Sequence, residues 1–231
     1  DSSLSKIEKQ RIWVIFIIAF FVIFFWSAFE QAGASLTYFA DEQTDRSILG
    51  WEMPASWFQS FNPIFVVAFA PLFSMMWLRL GRRNMEPASP TKQAIGLFLL
   101  SLGYLLIAFG VKGAAPGAKV SMLWLTGLYF IHSMGELALS PIGLSMVNKL
   151  SPVRFASLMM GVWYLSMATA NKFAGVLSGL YPEAGKPKTF LTFQITDLYD
   201  FFMVFVVMSA IASLILFALS KTLQKLMHGV R

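Results

Sequence analysis

No cysteine occurs in the 231 residues. Disulfides and thiol chemistry are therefore excluded, although the absence fixes no compartment. Histidine is nearly as scarce, with His132 and His228 the only two. A metal centre takes three or four ligands, so the spacing of His132 and Glu136 is too little to hold one. No G-x-x-x-x-G-K-[ST], G-x-S-x-G or H-E-x-x-H run is present. That removes P-loops, serine hydrolases and zinc peptidases, and we expect no enzyme. Charge is short as well. Asp, Glu, Lys and Arg make up 13% of the chain, about half of what a soluble domain carries.

Apolar residues fill the space. They are 57% of the chain, with 23 Phe, 13 Met and 7 Trp. Runs of about 18 or more apolar residues read as membrane-spanning helices. Six such runs predict an all-α membrane protein, one bundle over 1–231, with helices at 12–40, 53–78, 91–112, 120–149, 153–181 and 197–222. The first run follows Lys6, Lys9 and Arg11, as a signal peptide would. It is too long for one and lacks a small-residue cleavage site. The opening DSSLSKIEKQR has no initiator Met, which leads us to expect a fragment or a processed piece.

The loops are short, hold no soluble domain and show no internal repeat. DEQTDRSILGWEMP is acidic, GAAPGAKV and PEAGKPKTFLTFQIT are Gly/Pro-rich, and RLGRRNMEPASP is basic, with Pro87 and Pro90 expected to end order before the third helix. Basic residues alternate. Lys6, Lys9, Arg11, Arg79, Arg82, Arg83, Lys92, Lys149, Arg154, Lys221, Lys225 and Arg231 flank one side, against Arg46, Lys112, Lys119, Lys186 and Lys188 on the other. The positive-inside rule places both termini in the cytoplasm. The net charge of +6 then reflects basic loops beside anionic lipid, and no nucleic-acid partner is expected.

Polar groups at membrane depth carry the functional signal. Glu136 falls at the middle of the fourth run, and Glu30, Asn62 and Trp163 fall within about two turns of the same plane on three others. Ser133, Glu136, Ser140 and Gly143 make one helical stripe, and Trp26, Glu30, Gly33 and Thr37 make another. Pro141, Pro63 and Pro71 are expected to free the carbonyls of Leu137, Gln59 and Val67. Midplane convergence of this kind is where secondary transporters keep substrate.

Ordinary structural readings compete. Asn62 by itself fits interhelical glue equally well, and Gly175 and Gly179 form a G-x-x-x-G that predicts a close helix contact. Trp13, Trp51 and Trp57 fit an interfacial belt, and Lys172 can snorkel outward. A channel would need a polar stripe through the whole membrane, whereas these groups cluster at one depth. The two carboxylates resist a structural reading, since each costs about 2.5–3.5 kcal/mol to insert. Glu30 and Glu136 have no cation nearby in sequence except Lys172. Each must carry a proton or find its partner outside this chain.

FWSAFEQAG, FQSFNPIFVVAFAP, GELALSPIGLSMVNKLSP and MMGVWYLSMATANKFAG, in this order, resemble the C-terminal bundle of the bacterial proton-dependent oligopeptide transporters, the POT or PTR family of the major facilitator superfamily. The resemblance implies helices seven to twelve of the transport core, in a bacterial inner membrane. It implies an N-terminal six-helix bundle as partner, bearing an E-x-x-E-R-F motif and a lysine on its fourth helix that nothing here matches. It implies di- and tripeptides as substrate and protons as coupling ion, with no other cofactor. Glu136 then resembles the acid that receives the peptide amino terminus, Asn62 a helper at that end, and Trp26, Ser140 and Trp163 pocket-lining residues. Glu30 resembles the proton-coupling acid. The alternatives are a related carrier of another small solute, such as nitrate or a drug-like molecule, and a non-transporting packing or receptor module. A nearby acid repels nitrate, which favours an amine-bearing substrate.

Overall fold

In the computed structural model, which describes residues 4–115, 117–183 and 187–230, long helices make up the protein. Lys186 and Arg231, counted above among the flanking charges, lie outside the described residues. Helix α1 (Lys6–Phe29) leads into a 3-10 turn (Glu30–Gly33) and a short α2 (Ser35–Glu42). A second 3-10 turn (Ala55–Ser60) opens α3 (Phe61–Arg82). Helices α4 (Ser89–Val111), α5 (Met122–Leu150), α6 (Ala156–Ser178) and α7 (Leu198–Leu226) follow.

Local chemistry sets the helix starts. Ser5 and Glu8 form a reciprocal capping box at α1, with the Glu8 amide donating to Ser5 Oγ at 3.2 Å and the Ser5 amide to Glu8 Oε2 at 2.8 Å. At α7 the Asp200 amide donates to Asp197 Oδ1 at 2.8 Å. The described strands are two or three residues long and lie in the connections. β1 (Thr44–Asp45) pairs in parallel with β4 (Val120–Ser121), β2 (Ser47–Ile48) pairs with β3 (Trp51–Glu52), and β5 (Lys188–Phe190) with β6 (Phe193–Ile195). Two of the expected plain loops are thus pinned. Arg46 adds ion pairs to Asp41 at 2.9 Å and Glu52 at 3.0 Å.

By length and composition, four helical stretches suffice to cross a membrane among the described residues: Lys6–Glu42, Ala55–Arg82, Ser89–Val111 and Leu198–Leu226. α5 and α6 are less apolar because Ser, Thr, Asn and Gly recur along them. Packing carries them into the same layer, α5 along α4 and α6 along α1. The bundle is built around α4, which lies between α5 and α7. Tyr104 of α4 is fully buried and stacks on Phe205 at 4.7 Å, beside Phe202. Hydroxyls stitch the same seam: Ser101 Oγ donates to the Val206 carbonyl at 3.0 Å, and Ser213 Oγ to that of Ala94 at 2.8 Å.

Glycine lets α4 and α5 approach. A Cβ on Gly96 would lie 2.9 Å from the Gly135 carbonyl, and one on Gly103 would lie 2.4 Å from His132 Cδ2. His132 is buried there, its Nε2 3.2 Å from the Leu100 carbonyl. We predict that Gly103→Ala destabilises the full-length protein by about 1–3 kcal/mol, the usual range for overpacking. A lowered thermal midpoint in detergent is the measurement, and an unchanged midpoint would refute the close approach.

Several sequence expectations change. The first helix is broken at Glu30–Gly33 rather than continuous over 12–40. Pro63 stands in the first turn of α3, where an amide has no helical acceptor, so it frees no helical carbonyl; Pro71 is the internal proline. Gly175 meets nothing within 4 Å, so no close helix contact forms at the G-x-x-x-G among the described residues. The connection before α4 is ordered. Glu86 folds over Gly81 and pairs with Lys92, whose ammonium lies 4.6 Å above the Trp77 ring. Pro90 is itself in the first turn of α4.

Candidate functional site

Helix α3 leans on α5 and leaves the rest of its length uncovered; none of its residues is buried. Phe65 and Phe69 both meet Phe130 of α5 edge-on, at 5.4 Å. Buried Phe58 anchors the preceding turn and packs edge-on with Phe61 at 5.5 Å. This seats Asn62, in the first turn of α3, opposite the polar stripe of α5.

Asn62 Nδ2 donates to Glu136 Oε2 at 2.9 Å and to Ser133 Oγ at 3.0 Å. Ser133 gives its own proton to the Tyr129 carbonyl at 2.7 Å, which leaves its oxygen free to accept. Both N–H groups of Asn62 are therefore engaged. Among the described residues, Glu136 Oε1 and Asn62 Oδ1 accept no hydrogen bond. Two unoccupied acceptors, one of them ionisable, thus sit on side chains bonded to each other. Such a pair suits a small donor with several hydrogens, above all an ammonium.

Glu30 opens the 3-10 turn after α1 and is exposed. It makes no hydrogen bond or ion pair among the described residues, and it is near enough to Glu136 for the two charges to repel. Trp26 is half-buried, edge-on to Phe25 at 5.4 Å and to Phe29 at 5.3 Å. Ser140 is half-buried one turn along from Glu136. Trp163, which the resemblance makes a pocket-lining residue, lies on α6. It is buried, and its ring lies where a Cβ on Gly143 would be, with Cη2 2.6 Å from that position. Here it closes the end of the α5 stripe. Lys172 is exposed on α6 and bonds to neither acid. No group of three or more His, Cys, Asp or Glu that could hold a metal occurs among the described residues.

Sequence reading missed Gln31. It is fully buried and bonded through both ends of its carboxamide. The available signal was a polar residue inside an apolar run, with Ser27 and Ser35 four residues to either side.

Comparison with known proteins identifies the family. The family model PTR2, described as the POT family, matches residues 3–192. The chain is 37% identical over 180 residues to a peptide transporter of Yersinia enterocolitica, YePEPT, covering 77% of this chain and 35% of that one. It is 33% identical over 172 residues to dipeptide and tripeptide permease A of Escherichia coli, covering 74% and 34%. A crystal structure of a peptide transporter POT in complex with sulfate superposes with a TM-score of 0.82 at 31% identity, covering 97% of this chain and 43% of that one. The chain thus spans between a third and a half of the length of these proteins. The family match spans most of the chain, and the chain belongs to the POT family.

Proposed function

We propose that this chain is the C-terminal six-helix half of a proton-coupled symporter of di- and tripeptides. The observation that carries the reading is the pair of open acceptors, Glu136 Oε1 and Asn62 Oδ1, at membrane depth. A peptide ammonium donates three hydrogens, and two of them fit these oxygens. The peptide carboxylate needs cations that this face lacks. They come from the N-terminal bundle of the same transporter, which covers the open side of α3. Trp26 and Ser140 border the peptide, and Trp163 borders it when its ring leaves Gly143. Glu30 exchanges a cation of that bundle for a proton, and no other cofactor takes part. The basic flanks put both termini in the cytoplasm of a bacterial inner membrane.

The test is counterflow of a labelled dipeptide in liposomes holding the full-length transporter. Excess unlabelled dipeptide inside should draw label in, while an N-acetylated dipeptide should compete poorly because it has no ammonium. Absence of counterflow, or equal competition by the acetylated form, would sink the reading.

Asn62→Ala offers a milder check. It removes one acceptor and the donor that orients Glu136, and it disturbs no buried side chain of α3. Dipeptide affinity should fall about ten-fold, the size of one charge-assisted hydrogen bond, with the thermal midpoint nearly unchanged. Undiminished binding would return Asn62 to a packing role.

A further inference from the structure

The break after α1 is held from three sides. Tyr104 of α4 donates its hydroxyl to the Ala28 carbonyl at 2.6 Å. The Ala32 carbonyl accepts from Thr37 Oγ1 at 2.8 Å and from the Tyr129 hydroxyl of α5 at 3.5 Å. Gln31 supplies the third side. Its Nε2 donates to the Ser27 carbonyl at 3.1 Å and, across to α6, to the Ala174 carbonyl at 3.0 Å. Its Oε1 accepts from Ser35 Oγ at 2.6 Å, so one carboxamide joins α1, α2 and α6. The residue is fully buried, and both of its N–H groups are engaged within the protein.

Glu30 precedes it in the same 3-10 turn. Fixing the Gln31 side chain fixes that turn, and the turn fixes where the Glu30 carboxylate points. Among the described residues, the Glu30 side chain has no bond of its own to hold it in place. We propose that Gln31 is a positioning residue for proton coupling: it clamps the elbow between α1 and α2 to α6, so that Glu30 presents to its partner at a set angle. The proposal rests on the symporter reading above. Gln31 does not touch the peptide. It acts through the backbone of its neighbour, as an orienting group does for a reacting one.

The experiment compares two transport modes of the full-length protein in one liposome preparation. Gradient-driven dipeptide uptake needs proton coupling, and counterflow does not. Gln31→Leu keeps the side-chain size and removes all three hydrogen bonds. The ratio of gradient-driven uptake to counterflow should fall at least about five-fold, the lower end of usual coupling strengths. Ser35→Ala removes only the bond to Oε1 and should lower the same ratio by less, which keeps the test open if Gln31→Leu does not fold. Equal loss of both modes, as a purely structural residue would give, overturns the proposal. So does an unchanged ratio in a folded Gln31→Leu, or in Ser35→Ala if the first variant cannot be prepared. If the parent protein shows no gradient-driven uptake, the symporter reading fails instead, and the two failures are told apart by that control.

Discussion

Glu136→Gln should abolish dipeptide uptake while leaving the protein folded. The substitution keeps a carbonyl oxygen where Oε2 accepts from Asn62 Nδ2 at 2.9 Å, so α3 and α5 remain joined. It removes the negative charge from the unoccupied acceptor. A hydrogen bond to a charged group contributes about 1.5–3 kcal/mol, so affinity should drop by roughly ten- to a hundred-fold. An unsubstituted dipeptide should then bind no better than its N-acetylated form, because the charge that distinguished them is gone. Binding of labelled dipeptide to purified full-length protein, with thermal unfolding as control, measures both. If the Gln variant keeps its affinity and still prefers the free amine, the amino terminus docks elsewhere and the assignment fails.

Much of this site is legible in the sequence, and the reason is periodicity. Ser133, Glu136, Ser140 and Gly143 share a face of any helix, and a carboxylate in an apolar run needs a use. The bond between Glu136 and Asn62 is not legible. It depends on how α3 lies against α5, which Phe65, Phe69 and Phe130 decide by edge-on packing. The packing of Trp163 is not legible either: glycine at position 143 leaves a hollow, and the indole fills it.

The break in the first helix shows the same limit. Within 12–40 the run stays apolar enough to read as one helix. What captures the carbonyl of Ala28 is the Tyr104 hydroxyl, 76 residues further along the chain, and the Tyr129 hydroxyl, 97 residues further, joins that of nearby Thr37 at the carbonyl of Ala32. No local pattern announces partners at that separation. The prolines divide for a similar reason. Pro63 and Pro71 look alike in sequence, and only the observed start of α3 at Phe61 makes the first harmless and the second internal. Gly175 marks the opposite case, a motif glycine that no partner helix approaches among the described residues.

Glu30→Gln should separate the two activities that the proposed symport combines. The side chain is exposed at the helix break, bonded to nothing among the described residues, and within electrostatic reach of Glu136. A coupling carboxylate must alternate between an ion pair and a proton. The geometry leaves Glu30 free for both, whereas Glu136 accepts from Asn62 through one oxygen and, in the proposed function, takes the peptide ammonium with the other. Glutamine mimics the protonated state permanently. Exchange of labelled for unlabelled peptide needs no net proton movement and should continue, while uptake driven by a pH gradient or membrane potential should fall to background. Removing one of two neighbouring negative charges should also leave dipeptide binding at Glu136 intact. If Glu30 instead pins the two bundles together, exchange, driven uptake and detergent stability should decline together. Intact gradient-driven uptake in Glu30→Gln would end the hypothesis outright, because a side chain that cannot release a proton cannot carry the coupling.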